Sequence, residues 1–164
     1  MTKALIFQRA GPADAPAIRE LTRQAYAKWV SVAGREPKPM TADYHEAVRT
    51  HRIDLLYADG ILVGLIELVP AADHLLIENV AVAPTSQGSG FGRLLLTHAE
   101  DVAATLGYSV VRLYTNKLFA ENIRLYRRFG YRIDREEDLG TRTAVHMSKT
   151  IQAHSTSKQS PADA

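Results

Sequence analysis

The segment Gln87-Gly88-Ser89-Gly90-Phe91-Gly92 stands between an apolar stretch, Ile77 to Val82, and a stretch of helical character, Leu94 to Leu106. Read in order, these form a strand, a turn and a helix start. Three glycines in the five positions 88–92 remove Cβ atoms where the chain must curl tightly, so successive backbone N–H groups can converge on one anion. The free N–H groups of the following helix point the same way, and its dipole adds roughly 0.3–1 kcal/mol in favour of negative charge. The chemistry implied is the binding of a diphosphate. A mononucleotide loop is excluded, because Gly92 is followed by Arg93 and Leu94 where that loop needs Lys and Ser/Thr. The dinucleotide fingerprint fits poorly. Its third glycine comes too early, and the next strand carries Arg112 and Asn116 in place of an acidic residue.

The pattern Gln/Arg-x-x-Gly-x-Gly/Ala, met by Gln87, Gly90 and Gly92, resembles the pyrophosphate loop of the GNAT acyltransferase superfamily. A second segment, Glu121 to Tyr131, resembles that superfamily's downstream motif: Asn122, then Tyr126 four residues on, then Gly130-Tyr131. With Glu78 to Pro84 leading into the loop, the resemblance covers roughly residues 62–149, and the first sixty residues match only in element pattern. The fold it implies is α/β, a mixed and mostly antiparallel sheet with helices on both faces. The activity it implies is direct transfer of an acetyl group from acetyl-CoA to a primary amine. The same resemblance implies that the strands flanking the glycine-led helix splay apart, freeing backbone of Val80, Ala81, Val82 and Ala83 for the pantetheine arm. Gln87, Gly88, Ser89, Gly90, Phe91, Gly92, Arg93 and Asn122 would complete the cofactor site, with Arg127 and Arg128 as further phosphate contacts. One backbone N–H, assigned to Val82, would polarise the thioester carbonyl, a contribution typically worth about 2.7–4 kcal/mol.

A lysine-like amine, with a pKa of about 10.4, is free base in only about one molecule in 2,500 at neutral pH, so the site must take up a proton. Glu78, expected by period-two alternation to share a strand face with Val80 and Val82, is the first candidate base, acting directly or through one water. Glu67 is the second. By the same resemblance Tyr126 holds the general-acid position, and a phenol of pKa about 10 can protonate a thiolate near 8.5. Read from the residues alone, Glu78 could equally be a solvated strand carboxylate, and Tyr126 a core aromatic beside Leu125 and Phe129.

Before residue 52, Tyr26, Trp29, Arg35 and Tyr44, with Pro37, Pro39 and Met40, make an aromatic, proline-stiffened patch. In the resembled superfamily this region forms the acceptor wall, but the patch would also serve for helix packing or a homodimer contact. Arg35 suits an acceptor with a carboxylate, and Asp43 or Glu67 a polyamine or aminoglycoside. A small-molecule amine is the leading acceptor; peptide acetylation and non-catalytic acyl-CoA binding are the alternatives.

These residues need elements to hold them. Leu5 to Arg9 reads as a strand, and Asp14 as the cap of a helix from Ala15 toward Val32. Gly34 to Pro39 breaks that helix, and Thr41 caps a shorter one through His51. Ile53 to Ala58 and Ile61 to Val69 flank Asp59-Gly60, a strong hairpin signal, and His74 to Val82 extends the antiparallel meander. Phe91, Leu94, Leu95, Ala99, Val102, Ala103 and Leu106 recur at helical spacing. Val110 to Thr115 follows as a parallel strand through a right-handed crossover. A helix over Ala120 to Phe129 ends at Gly130, and a hairpin of Tyr131 to Arg135 with Thr141 to Lys149 closes the domain.

The chain of 164 residues is expected to form one acetyltransferase domain over 1–150 and a disordered polar tail over 151–164. It contains no cysteine, which excludes a disulfide and a thiol nucleophile. A net charge of +2, with both signs mixed, gives little pull toward nucleic acid. The apolar run Ala4 to Phe7 is too short for a leader or a membrane span, so a cytoplasmic protein is expected. His45 and His51 are six apart and no His-Glu-x-x-His occurs, so no metal is expected. No Gly-x-Ser-x-Gly elbow surrounds Ser86 or Ser89, which argues against an acyl-serine route.

Overall fold

The computed structural model describes residues 3–152. β1 (Leu5–Arg9) leads to α1 (Ala15–Tyr26), a 3₁₀ turn (Ala27–Trp29) and α2 (Val30–Ala33). These three together follow the expected helix path, which stops where Gly34 turns left-handed at φ +73°. α3 (Lys38–Thr41) and α4 (Tyr44–Thr50) replace the single helix expected from Thr41. The cap of α4 is Asp43, whose carboxylate accepts from the N–H groups of His45 and Glu46, while the Thr41 hydroxyl donates back to the Lys38 carbonyl. Asp14 does not cap α1 either; its carboxylate closes on the Gly11 N–H at 2.8 Å.

β2 (Arg52–Ala58), β3 (Ile61–Pro70) and β4 (Leu75–Val82) form the antiparallel meander, with Asp59 and Gly60 at φ +50° and +80° in the first turn. A 3₁₀ turn at Pro84–Ser86 leads to the glycine loop and α5 (Phe91–Thr105). β5 (Val110–Asn116), α6 (Ala120–Arg128), β6 (Arg132–Asp138) and β7 (Thr143–Thr150) complete a seven-stranded sheet of order β1-β2-β3-β4-β5-β7-β6. Every neighbouring pair is antiparallel except β4–β5. The mixed sheet expected from the sequence is the sheet found.

Two cores flank it. On one face Leu95, Leu96, Ala99 and Ala103 of α5 are fully buried against Leu56, Ile66, Leu75, Val111 and Met147. On the other, Ala15, Ile18 and Leu21 of α1 and Ala47 of α4 cover Ile53, Leu55 and Leu65. A fully buried Leu or Ile contributes roughly 1.5–3 kcal/mol by removal from water, so these two layers hold the helices that carry the site. Ile151, expected in the tail, donates its N–H to the Ser109 carbonyl at 2.8 Å and packs on the first core. The rest of the expected tail, 153–164, lies outside the described residues. No described helix is long and apolar enough to cross a membrane.

Two features of β4 shape everything downstream. The β3–β4 register pairs Glu67 with Asn79 and then Leu68 with Ile77, leaving Glu78 as an extra residue in a bulge. Leu75 and Ile77 therefore face α5, Asn79 and Ala81 face α1, and Val80 and Val82 return to the α5 side. The expected period-two relation of Glu78 to Val80 and Val82 fails for this reason: a bulge resets the alternation. Second, β4 and β5 pair only at Leu75–Val111, Leu76–Arg112 and Ile77–Leu113. Beyond those three pairs the strands separate, while β5 stays paired with β7 as far as Asn116.

Two buried polar groups tie the layers together. Asn79, 3% exposed, accepts from the Tyr26 hydroxyl at 2.9 Å, and its amide lies 3.4 Å from both Thr22 Oγ1 and the Tyr44 hydroxyl. Asp54, 2% exposed, accepts from Arg52 at 3.0 Å and meets His98 Nε2 at 2.7 Å, with that imidazole stacked on Phe7. Burial alone would raise the Asp54 carboxyl; His98 and Arg52 outweigh it and hold the group below the ordinary carboxylate range. Asp54→Asn is expected to lower unfolding free energy by about 2 kcal/mol in urea titrations at neutral pH. Because the folded pKa is depressed, Asp54's contribution is full above the unfolded carboxylate pKa and fades as pH falls through the folded one. The difference between wild type and Asp54→Asn should therefore shrink in acid. Asn79→Ala strands the Tyr26 hydroxyl and is expected to destabilise the fold by about 1–3 kcal/mol in the same measurement.

Candidate active site

The parting of β4 from β5 opens two cavities that meet in the middle of the sheet. Ala83 N–H donates to the Val63 carbonyl at 2.8 Å, so by antiparallel alternation the backbone of Ala81 also serves β3, whereas Val80 and Val82 present N–H and C=O to the gap. Side chains confirm the direction. The Tyr26 hydroxyl lies 3.3 Å from the Val80 carbonyl, and Gln87 Nε2 donates to the Val82 carbonyl at 3.3 Å. The backbone of Ala81 and the N–H of Ala83 thus serve β3, and the Ala83 carbonyl accepts from the Ser86 N–H in the following turn, while Ala81 still lines the larger of the two cavities.

The larger cavity, about 400 Å³, runs from Val80 and Val82 over Gln87, Gly88, Gly90, Gly92 and Arg93 to Asn122, Leu125 and Arg128. Gly88 and Gly90 both sit at φ +83°, a conformation that a side chain strains, and Gly90 is the residue on which α5 begins. Leu94 N–H, bonded to the Gly90 carbonyl at 3.1 Å, is the first donor that the helix satisfies. The N–H groups before it face the cavity mouth with the positive end of a 15-residue helix behind them. The residues from Gln87 to Gly92, apart from Ser89, thus line one cavity at the start of α5. Phe91 is buried beneath it, whereas Ser89 is exposed at the loop tip and does not line the cavity. Of the two further arginines, Arg128 lines it and Arg127 does not.

The second cavity, about 80 Å³, lies on the other side of the junction and is walled by Glu78, Asn79, Tyr114, Asn122 and Tyr126, with Arg35, Lys38 and Arg142 toward its mouth. Four residues line both: Tyr26, Val80, Asn122 and Tyr126. Tyr126, one turn after Asn122 on α6, packs edge-on to Tyr131 with centroids 6.1 Å apart. Burial pushes its phenol up to about 12, so it stays protonated at neutral pH. Tyr26 is pushed up likewise, burial being the main cause.

Glu78 accepts from the Tyr114 hydroxyl at 2.6 Å and pairs with the Lys38 ammonium at 3.2 Å. Lys38 also reaches the Tyr114 hydroxyl at 3.2 Å and lies over that ring. Desolvation works to lower the Lys38 ammonium, but Tyr114 and Glu78 outweigh it and hold it above the usual lysine range. Glu67 is 4% exposed and meets His51 Nδ1 at 2.6 Å; burial pushes its carboxyl up against the opposing pull of His51. It lines a third cavity, shared with Glu78, Asp43 and Tyr44, and not the junction.

The other residues of the aromatic patch divide. Trp29 stacks on Phe119 with centroids 4.5 Å apart and lines the larger cavity, not the acceptor side assigned to it. Tyr44 is a packing residue, its hydroxyl donating to the Pro39 carbonyl at 2.6 Å. Tyr26 and Arg35 do reach the smaller cavity. Sequence reasoning missed Lys38, Tyr114, Phe119 and Arg142. Their only signal was position: Tyr114 alternates with the buried Leu113 on β5, and nothing local tells that β4 has moved away from it. Among the described residues no group of three or more His, Asp or Glu side chains is placed to hold a metal ion.

Comparison with known proteins follows this geometry. Residues 15–131 match the Acetyltransferase (GNAT) family. A streptothricin acetyltransferase of Streptomyces lavendulae is 38% identical over 76 residues, which cover 45% of this chain and only 40% of that protein's length. Among solved structures, the PaiA N-acetyltransferase of Thermoplasma acidophilum in complex with coenzyme A superposes with a TM-score of 0.75 at 18% identity, covering 90% of this chain and 99% of that one. The ribosomal-protein-S18-alanine N-acetyltransferase of Escherichia coli does so with a TM-score of 0.69 at 20% identity, covering 91% and 95%. At such identities these two likenesses speak for the fold alone. The family match covers well over half of the chain and includes both the glycine loop and the Asn122 to Tyr131 segment, and this chain belongs to the GNAT family of acetyltransferases.

Proposed function

We propose that the protein transfers an acetyl group from acetyl-CoA to the primary amine of a small molecule, with both substrates bound at once. The observation that carries this reading is the meeting of the two cavities at Tyr26, Val80, Asn122 and Tyr126, between strands whose backbone is unpaired there. The larger cavity fits CoA: left-handed glycines and unbonded N–H groups suit its diphosphate, and the open edge of β4 suits its amide-bearing arm. Arg93 and Arg128 stand at that end for its phosphates. Acetyl-CoA supplies an activated acyl thioester; the remaining chemistry is proton handling and charge stabilisation by this chain.

The N–H of Val80 is the better donor for the developing oxyanion. Val80 borders both cavities, whereas Val82, favoured on sequence, borders only the larger one, where its carbonyl is taken by Gln87. Glu78 is the base that collects the amine proton, since it faces the smaller cavity, while Glu67 is engaged by His51 away from the junction. Tyr126 is the acid: it borders both cavities at their junction, and its phenol, kept protonated by burial, is placed to give its proton to the departing thiolate. The narrow acceptor side, about 80 Å³, favours a small amine over an extended peptide.

Calorimetric titration is expected to detect acetyl-CoA and not ATP or NAD; binding of a nucleotide alone would overturn the cofactor assignment. In a thiol-release assay, Glu78→Gln and Tyr126→Phe are each expected to lower kcat by about 10²–10⁴ with acetyl-CoA affinity retained. With its phenol near 12, Tyr126 is protonated throughout the working range, so the Tyr126→Phe deficit should be the same at about pH 6 and about pH 9. Full turnover of that variant across the range would exclude the acid role.

A further inference from the structure

The smaller cavity carries a charge pattern that acetyl transfer as such does not require. Its charged lining residues are Arg35, Glu36, Lys38, Glu78 and Arg142. Glu36 is held by Arg23 through two hydrogen bonds, at 2.7 and 3.2 Å, and Lys38 is held by Glu78. Arg35 and Arg142 are left: among the described residues neither guanidinium has a carboxylate partner or donates a side-chain hydrogen bond. Both also line the adjoining outer cavity of about 300 Å³, so they stand together at the boundary between the two. Of the other charged groups there, Asp138 accepts from the Gly140 N–H inside its turn and Lys117 pairs with Glu136. A guanidinium stays charged at every working pH, and its planar fork matches a carboxylate through two parallel hydrogen bonds.

The cavity already holds a primary ammonium, paired with Glu78. Lys38 Nζ lies 3.2 Å from Glu78 Oε1 and 3.2 Å from the Tyr114 hydroxyl. An acceptor amine arrives in the same chemical form, so this corner is an ammonium site occupied by the chain itself. The carboxylates that would favour a polycationic acceptor are engaged elsewhere: Asp43 caps α4, Glu46 pairs with Arg49, and Glu67 is buried against His51.

We propose that the acceptor is a small amino carboxylate, its amine at Glu78 and Tyr114 in place of the Lys38 ammonium and its carboxylate between Arg35 and Arg142. This rests on the acetyltransferase reading above. The ammonium gives one proton to Glu78 and then solvent; the nitrogen lone pair forms the amide bond to the acetyl carbon as the C–S bond breaks toward sulfur. The second nitrogen proton is lost to solvent, the thiolate leaves as CoA thiol with the proton from Tyr126, and Tyr126 regains one proton from solvent. The balance is ammonium plus thioester to amide, thiol and one proton. The volume of about 80 Å³ encloses only the amine-bearing head, and the remainder of the acceptor extends into the outer cavity that the two arginines share.

The test is a thiol-release screen of the common L-amino acids, each paired with the amine that differs only by loss of its carboxylate. At least one amino acid is expected to exceed its partner amine tenfold or more in kcat/KM. For that substrate, Arg35→Gln and Arg142→Gln should each raise KM about tenfold while acetyl-CoA affinity is unchanged, and Arg→Lys should restore part of the loss. Equal or better turnover of the carboxyl-free amines overturns the proposal. A second measurement needs no turnover: the N-acetyl amino acids and the matching N-acetyl amines are titrated into the CoA-loaded protein. Tighter binding of a carboxylate-bearing product, lost in Arg35→Gln, supports the proposal; equal or absent binding of the two series overturns it. Failure to bind acetyl-CoA at all would instead remove the acetyltransferase reading, and the initial titration detects that separately.

Discussion

The β4–β5 ladder stops after three residue pairs, and the rest of the site depends on that stop. A parallel pair left open inside a sheet exposes N–H and C=O groups that must find other partners, because an unmet buried backbone group costs about 1–3 kcal/mol. Here the carbonyls are met by two side chains, one distant in sequence and one local. Tyr26 at the end of α1 covers the Val80 carbonyl, and Gln87 in the glycine loop covers that of Val82. The gap is therefore wide enough for a ligand yet closed at its edges. It lies outside the carboxyl end of β4, where α5 begins, so the open strand edge and the helix N-terminus face one space.

The bulge at Glu78 has the second largest influence. One extra residue shifts Asn79 to the α1 face, where it becomes the buried link between α1, α4 and the strand. The same shift turns the Glu78 carboxylate toward Tyr114 and Lys38, away from the hydrophobic contacts of Val80 and Val82. A strand in strict alternation could not put Asn79 on the helix side and keep Ile77 in the opposite core. Packing and chemistry are thus served by one local irregularity, a usual place for a bulge.

The charges follow the division into cavities. Around the glycine loop the positive groups are backbone N–H, Lys28 and two arginines, suited to phosphate; around Glu78 they are one lysine that the carboxylate already holds and two arginines that, among the described residues, no carboxylate holds. Tyr126 and Tyr26 sit between the two with their phenols kept neutral by burial.

Much of this architecture was legible in the residues. The Asp59-Gly60 turn, the apolar period of α5 and the spacing of Gln87 to Gly92 each follow from short-range sterics and hydrogen bonding, which act within a few residues whatever the rest of the chain does. The Asn122 to Tyr131 segment named the face of α6 that lines the site, since four residues make one helical turn. What stayed hidden depends on partners far apart in sequence. A bulge is a mismatch between two strands, so Glu78 read alone looks like an ordinary alternating residue. Tyr114 and Arg142 enter the site only because β5 and β7 remain together while β4 leaves them. Trp29 and Tyr44 look alike in the sequence, and only the packing of α1 and α4 on the sheet sends one to the larger of the two junction cavities and the other into the core. By itself the sequence determined the glycine-loop half of the proposed site, because a turn able to hold a diphosphate is made of consecutive backbone groups. The smaller cavity, where the acceptor is proposed to bind, was decided by tertiary structure, because its walls come from segments far apart in the chain that meet only after the sheet has formed.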